Sequence, residues 1–218
     1  MGCKCGSQVI LCNLPVRFDT YKGCSHGCKY CFAQKKQNIA KIQRDESVEA
    51  LRSFIEGKRG RETAWCDWNI PIHWGGMSDP FQPIEKNIRA SYECLKLLAE
   101  TRYPFVVSTK GRLVVDPEYL DLLEKSNCVV QISMVCSKYD PLEPGTPPYE
   151  ERLKMVETLA HRVQRVIVRV QPYMPEVFRD VMANIPRLAA AGVYGVVVEG
   201  MKLYKGKKGM VKIGGDQC

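Results

Sequence analysis

The sequence has no apolar run long enough to cross a bilayer. Its longest nearly apolar stretch, residues 188–198, holds eleven residues where a spanning helix needs about 20, so an integral membrane protein is excluded. No basic segment followed by an apolar stretch opens the chain, and no secretory leader is expected. Met1-Gly2 begins like a myristoylation site, but Gly6 stands where Ser or Thr is required. No repeat or low-complexity tract stands out. Acidic residues are outnumbered, 24 against 32 Lys and Arg, for a net charge of +8. That excess is compatible with a polyanionic partner such as nucleic acid, and equally with a soluble protein that is merely basic. A composition of 45% hydrophobic and 26% charged residues excludes a disordered chain. At 218 residues the chain is long enough for one domain that buries roughly 70% of its unfolded surface.

Cysteine is plentiful, at 11 residues. An odd count, the lack of a leader and tight clustering argue against a disulfide scaffold and for a reducing compartment, the cytoplasm. Six lie in the first 31 positions: Cys3, Cys5, Cys12, Cys24, Cys28 and Cys31. Clustered thiols in a reducing compartment usually hold metal.

Beyond Cys31, short β-branched runs alternate with amphipathic stretches. The pattern predicts strands over Val16–Tyr21, Asn69–Trp74, Phe105–Thr109, Val129–Met134, Val166–Gln171 and Tyr194–Glu199. It predicts helices near Glu46–Glu56, Ile84–Glu100, Pro117–Lys125, Tyr149–Arg162 and Pro175–Ala190. Asp116-Pro117 supplies an N-cap and a first-turn proline, and Gly192 a C-cap. Six strands alternating with five helices predict a parallel α/β sheet with right-handed crossovers. A full eight-unit barrel takes about 250 residues, so the length favours a partial (β/α)6 TIM-like barrel over a doubly wound sheet. Either places ligands at the C-terminal ends of the strands. The expected division is a cysteine-rich segment at 1–15, a barrel core at 16–201 and a basic tail at 202–218. The segment Ser137–Pro148 reads as a stiff, proline-rich loop. The ending Gly214-Gly215-Asp216-Gln217-Cys218 brings no closing helix, so the sequence leads us to expect a missing C-terminal portion or a helix supplied by another element.

The strongest chemical signal is Gly23-Cys24-Ser25-His26-Gly27-Cys28-Lys29-Tyr30-Cys31-Phe32, directly after the first strand. Three thiolates can hold three irons of a four-iron, four-sulfur (4Fe-4S) cluster and leave one coordination position open, as reactive metal sites do. Gly23 and Gly27 let the backbone curl closely. Zinc is the alternative, with Cys28 and Cys31 joined by two of Cys3, Cys5 or Cys12. Those three N-terminal thiols could also hold an auxiliary cluster or sit in an exposed tail.

Cys24-x-x-x-Cys28-x-x-Cys31, with Tyr30, resembles the cluster loop of radical S-adenosylmethionine (SAM) enzymes. Residues Tyr21 to Ala33 are similar to that segment in the spore photoproduct lyase-like branch. Gly75-Gly76-Met77-Ser78-Asp79-Pro80-Phe81-Gln82-Pro83-Ile84-Glu85 and Ser108-Thr109-Lys110 resemble its next two strand-end motifs. The likeness covers about the first two thirds of the chain and thins beyond Met134. It implies a 4Fe-4S cluster on Cys24, Cys28 and Cys31, SAM chelated at the open iron, and an electron donor such as flavodoxin or ferredoxin. Reductive cleavage would then yield a 5′-deoxyadenosyl radical that abstracts hydrogen from substrate, with lyase or transferase class open. Nucleic acid is the first candidate substrate, from the charge and the resemblance. It implies packing of Tyr30 and Phe32 near cluster or adenine, and cofactor contacts from Gly75, Gly76, Ser78, Lys110, Ser133 and Arg169. Met77 stands where many of these enzymes carry Glu, so backbone carbonyls, Ser78 or Asp79 would have to meet the ammonium group. Lys110 would meet the carboxylate as a point charge, Ser133 the carboxylate or ribose. Arg169 and Gln171 share one face of the fifth strand, unless Arg169 is simply paired with Glu199. His26 could bond a cluster sulfur or face the donor, while His73 and His161 read as structural. Cys66, Cys94, Cys128 and Cys136 read as core, although Cys136 is placed to return a hydrogen atom to a substrate radical. Trp65, Trp68 and Trp74 flank the second strand, as core or as a base-stacking platform. Lys202, Lys205, Lys207, Lys208 and Lys212 read as a solvated basic loop, or one that tracks phosphates. The rival class is a zinc-stabilised nucleic-acid-binding module without catalysis, and a third reading is a family member that binds the cluster without turnover.

Overall fold

The computed structural model describes residues 16–61, 63–66, 70–204 and 210–213, with backbone alone beyond residue 201. Cys3, Cys5, Cys12, Trp68, Lys205, Lys207 and Lys208 lie outside the described residues.

The strands are β1 (Val16–Phe18), β2 (Tyr21–Lys22), β3 (Gln43–Arg44), β4 (Ile72–Trp74), β5 (Phe105–Thr109), β6 (Cys128–Ser133), β7 (Arg165–Tyr173), β8 (Gly195–Tyr204) and β9 (Met210–Ile213). The α-helices are α1 (Val48–Ile55), α2 (Glu85–Ile88), α3 (Ala90–Thr101), α4 (Pro117–Lys125), α5 (Tyr149–Ala160) and α6 (Phe178–Ala190). The large sheet runs β1-β4-β5-β6-β7-β8-β9, parallel throughout except for the antiparallel β8–β9 pair. Its six parallel strands stand in sequence order. A doubly wound sheet reverses direction at a switch point, whereas winding one way without reversal is how a barrel grows. The fold is therefore the partial barrel.

The two faces of the sheet confirm this. Val16, Phe18, Ile72, Trp74, Phe105, Val107, Val130, Ile132, Val166 and Val168 alternate along the strands and are almost fully buried. They form the face against which the amphipathic helices lay their apolar stripes. Trp74 is its centre, with ring centroids 6.2 Å from Phe18, 5.8 Å from Phe81 and 6.0 Å from Phe105. The opposite face, the barrel interior, carries Arg17, His73, Ser108, Gln131, Ser133, Arg169 and Gln171. A sheet with helices on both sides would be apolar on both.

Most predicted elements hold, with local differences. The long helix expected from Ile84 breaks at Arg89, whose φ of 58° is left-handed. The Arg89 guanidinium bonds both Glu118 oxygens at 2.6 and 2.8 Å and lies 3.9 Å from the Tyr92 ring centre, which offsets the strain. The first predicted strand divides into β1 and β2, and β2 pairs outside the barrel with β3. The basic tail is not all loop: Met201–Tyr204 pairs with Met210–Ile213, so Lys202 and Lys212 stand in register on adjacent strands.

Candidate functional site

All the singled-out motifs except the N-terminal cysteines and the tail converge on one edge. The segments after β1, β4, β5 and β6 all leave the C-terminal ends of parallel strands, so they meet at the same mouth.

Cys24, Cys28 and Cys31 lie on the first of these segments. Cys28 is buried, and Cys24 and Cys31 are half-buried. None of the described cysteines is in a disulfide. Gly23, at φ 86°, starts the turn, and an added Cβ would lie 2.5 Å from the Lys41 carbonyl. Cys24 N–H donates to the Ile39 carbonyl at 2.9 Å, Cys31 N–H donates to the Cys28 carbonyl at 3.1 Å, and Gln34 Nε2 donates to that carbonyl at 2.8 Å. As free thiols, Cys24 and Cys28 are pushed up to about 12. Burial is the main cause for both, and Asp79 adds to it at Cys24, while at Cys28 the Lys110 charge opposes it. The thiols are close enough to influence one another, Cys28 acting on Cys24 and Cys31 on Cys28. Yet no three His, Cys, Asp or Glu residues among the described residues are gathered tightly enough for a single ion. Zinc draws thiolates to about 2.3 Å of one centre. Three free thiols on one loop are the donor set a 4Fe-4S cluster takes, so the residues present fit that group. Loading it would release protons from thiols held so high.

The segment after β4 is the clamp of this loop. Gly75 has φ 87°, with an added Cβ only 2.4 Å from the Ser108 carbonyl, and Gly76 lies against the Arg17 side chain. Ser78 Oγ donates to the Gly23 carbonyl at 2.6 Å, and Gln82 bonds both that carbonyl at 3.2 Å and Ser25 N–H at 2.9 Å. Asp79 is buried and accepts from Phe81 N–H (2.9 Å), Thr109 Oγ1 (2.6 Å) and Lys110 N–H (2.7 Å). His26 Nε2 lies 3.1 Å from its Oδ2, and His26 Nδ1 donates to the Gly145 carbonyl at 2.8 Å. Burial alone would raise Asp79, but the His26 charge and these hydrogen bonds outweigh it and hold the carboxyl low. The converse holds at His26, where burial is outweighed by Asp79 and the imidazole is raised. Both ring nitrogens of His26 are thus engaged, and its place is that of a pin between loops. Ser78 and Asp79 are likewise spent on the clamp, which leaves the backbone carbonyls of the Gly75-Gly76 turn for any ammonium group. Asp19 completes it: Met77 N–H and Ser78 N–H donate to Oδ1 at 2.9 and 3.2 Å, and burial holds it at about 7 although Arg17 stands 2.8 Å away.

A second buried centre joins the loop to β5 and β6. Glu143, from the proline-rich loop, accepts from the Tyr30 hydroxyl and from Lys110 Nζ at 2.8 Å, and its Oε2 lies 2.5 Å from Arg152. Lys110 Nζ also donates to the Ser133 carbonyl at 3.3 Å, as does an Arg152 nitrogen at 2.8 Å. Burial, with Arg152 nearby, pulls Lys110 down to about 7, and burial pushes Glu143 up. Tyr30 packs edge-on against Tyr139 with centroids 6.0 Å apart, while Phe32 is half-buried beneath Lys36. Arg169 donates to Gln131 at 3.3 Å and to Glu199, which also accepts from Gln171 at 2.9 Å. The chain of polar contacts continues across the interior through Ser108 to His73, at 2.7 and 2.8 Å. Cys136 is buried just past β6.

Sequence reasoning missed Glu143, Arg152, Gln82, Asp19 and Glu85. Buried Glu85 caps α3 through Ser91 N–H and Tyr92 N–H at 3.0 and 2.8 Å and accepts from the Tyr119 and Tyr21 hydroxyls. Gln82 and Glu85 sit inside a motif that was legible. Glu143 had no local signal, since its partner Tyr30 is 113 residues away.

No family model matches the chain. An uncharacterised protein of Mycobacterium tuberculosis is 26% identical over 212 residues, covering 90% of this chain and 62% of that protein. An uncharacterised protein of Methanocaldococcus jannaschii is 24% identical over 170 residues, with 72% and 59% covered. The chain spans about three fifths of the length of these curated relatives. Among solved structures, spore photoproduct lyase with bound AdoMet and dinucleoside spore photoproduct superposes with a TM-score of 0.68 at 17% identity, over 89% of this chain and 58% of that one. The Streptococcus suis protein SuiB, bound to its precursor peptide SuiA, gives 0.65 at 10% identity, over 92% and 43%. The radical S-adenosylmethionine methyltransferase TsrM of Kitasatospora setae gives 0.60 at 16% identity, over 86% and 36%. The chain thus shares its partial-barrel fold with these solved structures.

Proposed function

We propose that this chain is the barrel of a radical SAM enzyme, related to the spore photoproduct lyase-like branch, acting by hydrogen abstraction. One observation carries the reading: three free cysteines on one clamped loop at the mouth of a partial barrel. Cys24, Cys28 and Cys31 would hold a 4Fe-4S cluster. When bound, cluster and SAM together supply a one-electron cleavage that generates a hydrogen-abstracting carbon radical.

The chain's own residues orient and exclude. Ser78, Gln82 and Asp79 hold the loop in one shape. The carbonyls of Gly75 and Gly76 are the acceptors left for the ammonium end of SAM. Lys110, whose amino group now meets Glu143 at 2.8 Å, would exchange it for the carboxylate end, with Ser133 beside it. Arg169 and its neighbours Gln131 and Glu199 form the polar interior wall that faces ribose or substrate. Tyr30, tied to Glu143 and packed on Tyr139, closes the site against water on the loop side.

Metal analysis tests the reading. Anaerobic reconstitution with iron and sulfide should give protein-bound iron with acid-labile sulfide, and dithionite plus SAM should then release 5′-deoxyadenosine. Cys28→Ala should lose both. Zinc as the sole bound metal, or product formation undiminished in Cys28→Ala, would sink it.

A further inference from the structure

The turn after β4 is built around an acid that belongs to another strand. Asp19 directly follows β1 and is 5% exposed. Its Oδ1 accepts from Met77 N–H at 2.9 Å and Ser78 N–H at 3.2 Å, and its Oδ2 meets Arg17 Nε at 2.8 Å. The same turn is tied to β1 by Gly75 N–H, which donates to the Phe18 carbonyl at 3.1 Å. Arg17 closes one side of it, since a Cβ on Gly76 would lie 2.5 Å from the Arg17 Cδ. Asp19 is itself fixed by Glu46: its N–H donates to Glu46 Oε2 at 3.2 Å, and its carbonyl accepts from Glu46 N–H at 3.2 Å. The Met77 carbonyl accepts from Gln37 Nε2 at 3.2 Å, whereas the Gly75 and Gly76 carbonyls accept from no donor among the described residues. The turn's own side chains bring no spare charge. Met77 has a thioether, and Ser78 and Asp79 are bonded to Gly23, His26 and Thr109.

We infer that Asp19 is the positioning residue for the amino end of SAM: it holds the Gly75-Gly76 turn with two carbonyls unspent and supplies, through that turn, the negative charge that Met77 lacks. The inference rests on the proposed function and deepens it by naming the group behind the amino end. The Met77 N–H and the Gly76 carbonyl belong to one peptide unit, and a trans unit points them in opposite directions. Donation of that N–H to Asp19 therefore turns the Gly76 oxygen away from the carboxylate. The charge on Asp19 polarises the same unit and makes that oxygen a stronger acceptor. Burial keeps the Asp19 carboxyl at about 7 in spite of its donors, so its ionised form gains from one more positive group close by.

The test compares SAM with its deaminated analogue, which keeps the carboxylate and lacks the amino group. Both dissociation constants are measured above the Asp19 carboxyl, at about pH 8, on the cluster-loaded native chain, Asp19→Asn and Asp19→Asn/Met77→Glu. Asp19→Asn keeps an oxygen for the two N–H groups and removes the charge. The native preference for SAM over the analogue should fall about tenfold in Asp19→Asn, the scale of one charge-assisted contact, with the analogue bound as before. Met77→Glu should restore most of that preference. Any contact of the amino group with the cluster is common to all three proteins and cancels. Asp19→Ser, smaller and equally neutral, replaces Asp19→Asn if an amide nitrogen facing Arg17 prevents loading, and should show the same loss. In the cluster-free chain, Asp19→Ala should speed hydrogen exchange at the Met77 and Ser78 amides. A preference unchanged in the neutral variant, with affinity kept or lost equally for both ligands, overturns the proposal. So does a preference that Met77→Glu leaves unrestored, or unchanged exchange in Asp19→Ala. A native chain that takes up no iron and sulfide, or takes them up and does not bind SAM, overturns the proposed function instead.

Discussion

At the scale of single residues, the site is governed by what each polar group is already bonded to. Lys110 and Glu143 are the clearest case. They are 2.8 Å apart, yet burial decides the lysine's behaviour and pulls it down to about 7. An unfolded lysine keeps its proton to about 10.4, so between pH 7 and 10 the unfolded chain holds a proton that the folded chain has released. The Lys110 contribution to stability therefore rises with pH across that window, and Lys110→Met should remove that contribution. Urea midpoints of both proteins from pH 6 to 10 check this: the native chain gains on the variant above pH 7, and a constant gap between them refutes the assignment. Residues of this kind were only partly legible. Lys110 and Ser133 stood at recognisable strand ends. Glu143 and Arg152 did not, because a buried ion pair is defined by what the fold brings together, and no local spacing encodes it.

At the scale of elements, the site is four strand-end segments bolted to one another. Gly145 shows how close they are: an added Cβ would lie 2.6 Å from the Ser25 carbonyl and 2.7 Å from His26 Cα. Gly145→Ala should push the proline-rich loop off the cysteine loop at a cost of about 1–3 kcal/mol, as overpacking does. The expected result is a lower denaturation midpoint together with sub-stoichiometric iron after reconstitution; unchanged iron content would show that the loops are independent. Elements were legible where the sequence period was clean. Strand β5 and helix α4 match their predicted bounds because alternation, Asp116 and Pro117 mark them. The break at Arg89 was not, since Arg is an ordinary helix former and contacts distant in sequence or buried, with Glu118 and Glu85, hold the break. Strand β9 was missed because lysines and glycines mask its weak alternation.

At the scale of the molecule, a single run of strands in chain order carries an apolar face under helices and a polar face inside. Strands β5 and β6 are paired on both sides in the middle of the sheet, whereas β1 and β9 stand at the ends of its order. Amide exchange should follow that order, with β9 and β1 protons lost before those of β5 and β6; equal protection throughout would contradict it. Strand order was foreseeable from the βαβ rhythm and chain length. The furnishing of the interior was not, because two-residue spacing tells which residues share a face but not which of them bond. That furnishing has a consequence. His73, Ser108, Gln131, Arg169 and Glu199 are joined in one chain of hydrogen bonds, although the buried Arg169 Nε has no partner in it. A guest settling there must break a bond for nearly every bond it makes, so greasy visitors gain little and selection falls to the pattern of donors and acceptors the guest can offer in exchange.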